Sequence, residues 1–74
     1  MPRSTLVFTV SAPQIQSDLL HEFSLHADVV ATADQIDGRP ALIVQTNGSA
    51  GAMWDVRATV GMYDDHAAEL TDQG

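Results

Sequence analysis

The sequence predicts a small α+β domain, one β-sheet with a helix packed on one face, in the order β-α-β-β-β-α. Three observations carry this. Residues 5–10 set Leu6, Phe8 and Val10 at period two against Thr5, Val7 and Thr9; residues 12–26 hold apolar side chains at helical spacing; and two β-rich runs flank the dipeptide Asp37-Gly38. Seventy-four residues make a single domain, with 64–74 as an acidic C-terminal helix or tail.

In the first strand, Leu6, Phe8 and Val10 fall on one side, and Thr5, Val7 and Thr9 on the other. Ser11 and Gln14 have the spacing of a capping box, with Pro13 in the first turn, where a missing N–H is tolerated. Ile15, Leu19, Leu20 and Phe23 then form one apolar stripe, and His26 suits the negative end of the helix dipole. Residues 28–36 read as a second strand and 41–46 as a third, joined by a type I′ turn at Asp37-Gly38. The run Leu42-Ile43-Val44 is typical of a central strand with both faces at least partly covered.

The segment 53–62 supports two readings. Trp54, Val56, Ala58, Val60 and Met62 alternate strictly, which favours a fourth strand with Trp54, Val56, Val60 and Met62 facing the core. Met53, Val56, Val60 and Tyr63 also form a helical stripe, which would make the order β-α-β-β-α with 53–70 helical, a truncated ferredoxin-like unit. On the strand reading a short helix follows at 64–72, with Asp64 and Asp65 in its first turn.

The net charge is −7, from ten carboxylates against three Arg and no Lys. Nucleic acid is bound by replacing counterions with Lys and Arg, so direct nucleic-acid binding is disfavoured and a basic protein surface is the attracted partner. No apolar run reaches the ~18 residues a membrane span needs, and the first residues do not read as a signal peptide, so the expected location is cytoplasmic. Without Cys there is neither a disulfide nor a thiolate site. A short chain without such a staple is expected to form a homo-oligomer or to join a larger complex.

On the strand reading, one sheet face carries Thr32, Asp34, Asp55, Arg57, Thr59 and Tyr63, a polar and β-rich surface suited to a protein partner. Arg57, two residues from Asp55, could pair with it or with Asp34 across strands. The loop Asn47, Gly48, Ser49 and Gly51 is the candidate for a small ligand, though it has neither a dinucleotide fingerprint nor a phosphate-loop Lys. His21, His26 and His66 lack the spacing of a metal set, and no nucleophile has a matching base, so no metal, cofactor or catalytic residue is assigned.

The expected function is therefore non-catalytic: a protein–protein interaction module or small subunit of a complex, in one version an acidic inhibitor of a basic, nucleic-acid-binding partner. The β-α-β-β element order also resembles, in topology alone, the ACT-type amino-acid sensors. That resemblance implies a ligand-binding regulatory domain acting as a dimer, with the 47–51 loop at the ligand.

Overall fold

The structure, a computed structural model, describes residues 4–70. Its elements are β1 (Ser4–Thr9), α1 (Pro13–Ser24), β2 (Val30–Ile36), β3 (Arg39–Thr46), α2 (Ala50–Tyr63) and β4 (Ala68–Leu70). The four strands form one antiparallel sheet in the order β2-β3-β1-β4. β1 and β2 run parallel, as a crossover through α1 requires, but β3 lies between them. This is the split β-α-β arrangement of ferredoxin-like domains.

The hairpin forms where the sequence places it. Asp37 and Gly38 have φ of 53° and 77°, the two positive values of a type I′ turn, and Ile36 pairs with Arg39. Both helices lie on one face of the sheet. There Leu6, Phe8, Leu42 and Val44 meet Leu19 and Phe23 of α1 and Val56 and Val60 of α2, all buried. On β2 the corresponding residues are small, Ala31 and Ala33, which face Val44 and Leu42 in register.

Three expectations are corrected. Residues 53–62 are not a strand but most of α2, so the order is β-α-β-β-α-β. The period-two pattern was misleading because Val56 and Val60, four apart, also satisfy a helix. As a helix, only those two and the partly buried Met53 reach the core. Trp54 and Met62, expected inside, are 70% and 84% exposed.

Residues 64–70, the described part of the helix expected at 64–72, do not form one. The Asp64 carboxylate accepts the His66 backbone N–H at 2.9 Å, a local turn that ends α2, and the chain then pairs Ala68–Leu70 with β1. Residues 71–74 lie outside the described residues. Ser11 is not the N-cap of α1 either. Ala12 takes that position without a side-chain bond, while the Ser11 hydroxyl turns to Asp64 and Gln14 donates to Asp18 at 3.3 Å.

Candidate interaction surfaces

The six residues expected on one partner-binding face lie on two sides of the sheet. Thr32 and Asp34 point from β2 to the side without helices, in register with Ile43 and Ala41. Asp55, Arg57, Thr59 and Tyr63 belong to α2, on the other side. Three of the latter make local side-chain bonds. Arg57 grips Glu69 of β4 through two bonds, at 2.7 and 3.1 Å, rather than Asp55 or Asp34. That pairing raises the guanidinium pKa and lowers that of the Glu69 carboxyl. The Thr59 hydroxyl donates back to the Asp55 carbonyl at 2.8 Å. Tyr63 donates to Glu22 at 3.0 Å, and this bond, with partial desolvation, raises the phenol pKa. Asp55 lines a groove of about 320 Å³ between the end of α1 and α2, together with His26, Asp28 and Thr59.

The loop at 47–51 builds the start of α2. Asn47 Oδ1 accepts the Ser49 N–H at 2.9 Å, and Thr46 Oγ1 accepts the Gly48 N–H at 3.0 Å. Ser49 is the N-cap, its hydroxyl accepting the Ala52 N–H at 3.1 Å. Gly48 has φ +84°, a conformation that favours glycine. The side-chain oxygens of Thr46, Asn47 and Ser49 thus already satisfy backbone donors. Ser49→Ala is expected to cost about 1 kcal/mol, read as a lower melting temperature; an unchanged melt would show that the cap contributes nothing.

Two surfaces without net charge remain. The first is the outward side of α2, where Ala50, Gly51, Trp54, Ala58, Gly61 and Met62 share the solvent face with no charge among them. Trp54, Ala58 and Met62 recur every four residues along it. Helical spacing was the sequence signal for this face, and the strand reading hid it. The second is the sheet face opposite the helices. A row in register, Leu70–Val7–Ile43–Thr32, crosses all four strands there.

Among the described residues no group of three or more His, Cys, Asp or Glu could hold a metal ion, and no helix is long and apolar enough to cross a membrane. Comparison with protein-family models, curated proteins and solved structures gave no match.

Proposed function

We propose that this chain is a non-catalytic protein–protein interaction module, a small acidic cytoplasmic subunit that acts by docking. The observation that carries this reading is the outward face of α2. Large apolar side chains of a helix ordinarily face the core, yet Trp54 and Met62 stand on the solvent side, 70% and 84% exposed. An exposed Trp flanked by small residues and Met is the composition of an interface centre, where Trp dominates the binding energy. The helix suits an apolar groove on its partner. With a charge of −7, the partner's rim is basic, which also fits the inhibitor version of the reading.

Isolation of the tagged chain from its own cells tests this. The wild type is expected to hold a stoichiometric protein partner. The double variant Trp54→Ser/Met62→Ser loses it, since truncating such an anchor costs at least about 2 kcal/mol, or roughly 25-fold in affinity. Equal recovery by both chains sinks the reading. Binding that ignores salt removes the inhibitor version alone.

The second reading, an ACT-like ligand domain acting as a dimer, has in its favour the groove beside Phe23, His26 and Asp55, whose volume is at the lower end for small-molecule sites. A thermal-shift screen of amino acids and nucleotides that stays flat removes it.

A further inference from the structure

We infer that the helix-free face of the sheet is where a second copy of this chain docks, face to face. The inference rests on the interaction-module reading and supplies one of its partners. β3 is apolar on both sides. Its buried side, Leu42 and Val44, is covered by both helices, but Ile43 between them faces the other way and is only half-buried. An apolar residue on each side is the pattern of a strand covered on both faces. The same side holds Val7 and Leu70 in register with Ile43, and Val30, 48% exposed, two residues from Thr32.

Charge selects the occupant. Two copies at −7 each repel wherever their carboxylates meet. On the described strands, this face carries one acid, Asp34, and one base, Arg39, so it is neutral. The other described carboxylates lie on the helices, in the connecting segments, or, as Glu69, on the helix side of β4. A like copy therefore meets no repulsion here.

The patch is small, as for a weak, concentration-dependent pair. Strands of six, seven, eight and three residues, at ~3.3 Å per residue and ~4.8 Å apart, give a footprint of about 380 Å² per copy, or about 760 Å² for a pair, below the ~1,000 Å² of a stable interface. A two-fold axis makes the patch its own complement. Sheet-on-sheet packing then gives each copy the second layer that its apolar strands lack.

The chain contains no Cys, so a single introduced one carries a spin label without ambiguity. Labels at Thr5→Cys, on the sheet face, and at Ala58→Cys, on the outer side of α2, both occupy exposed positions that leave the core untouched. Light scattering of the unlabelled chain is expected to give twice the chain mass. Dipolar spectroscopy of the separate labelled dimers should give a short distance at position 5. It should give a clearly longer one at position 58, since two helix layers and two sheets would then lie between the labels. A monomeric mass across the concentration range overturns the inference. So does a dimer with the short distance at position 58. A monomer that still holds a Trp54-dependent partner sinks the dimer and leaves the functional reading standing. A sheet-face dimer with no such partner does the reverse.

Discussion

Replacing Phe23 with Ala is expected to leave much of the chain unfolded at room temperature. Phe23 is 2% exposed and is the largest of the fully enclosed side chains, lodged between the sheet and α2. Truncating such a residue costs about 3–5 kcal/mol, the lost transfer energy plus the cavity left behind. At about 0.05–0.15 kcal/mol per residue, a domain of this length has only about 4–11 kcal/mol to lose. The check is a chemical denaturation curve followed by far-ultraviolet circular dichroism. A midpoint within experimental error of the wild type would mean that the core is not organised around α1.

The second large effect is expected at Asp64. Its carboxylate accepts the Ser11 N–H at 2.7 Å and the Ser11 hydroxyl at 2.9 Å, besides the His66 N–H. It thereby ties the exit of β1 to the end of α2. Burial alone would raise its pKa. The bonds from His66 and Ser11, with a small contribution from the His66 charge, outweigh that and hold the carboxyl below its ordinary value. Asp64→Ala leaves these donors without their acceptor and should cost about 2–3 kcal/mol, as expected for hydrogen bonds to a charged group.

The same bonds set a pH dependence. The folded pKa lies below the unfolded value of about 3.9. The contribution of the ionised carboxylate is therefore full above that pH and is lost as pH falls through the folded pKa. Stability of the wild type should decline in that acid window, with Glu69 adding to the slope through its lowered pKa. Asp64→Asn should show a shallower decline. Parallel curves for the two chains would assign the slope elsewhere.

Local signals were legible where one pattern had one solution. The alternation of residues 5–10, the stripe Ile15–Leu19–Phe23 and the Asp37-Gly38 turn each match one element, and the class, a sheet with helices on one face, follows from them. Residues 53–62 satisfied two periods at once. The arbiter was the Ser49 cap, whose Oγ accepts the Ala52 N–H. Its Ser-x-x-Ala spacing lacks the acidic partner that marks a capping box. The three-residue β4 was not legible because Glu69 and Leu70 become a strand by pairing with Phe8 and Val7, far away in sequence. The expected partner surface suffered in the same way: Thr32 and Asp34 are on the open sheet face, while the four α2 residues moved with their helix. Asp64 read as an ordinary acidic residue, since its importance depends on the distant Ser11.

The placement of β1 has a consequence for how the chain comes into being. Made before the strands it pairs with, it ends at the centre of the sheet, with Val7 between Ile43 and Leu70. During synthesis the β2-β3 hairpin can close early around its own turn, but Leu6 and Phe8 wait for partners that emerge much later. During synthesis β1 therefore stays uncovered until β3 and β4 have emerged, and chaperone contact should concentrate on residues 4–10.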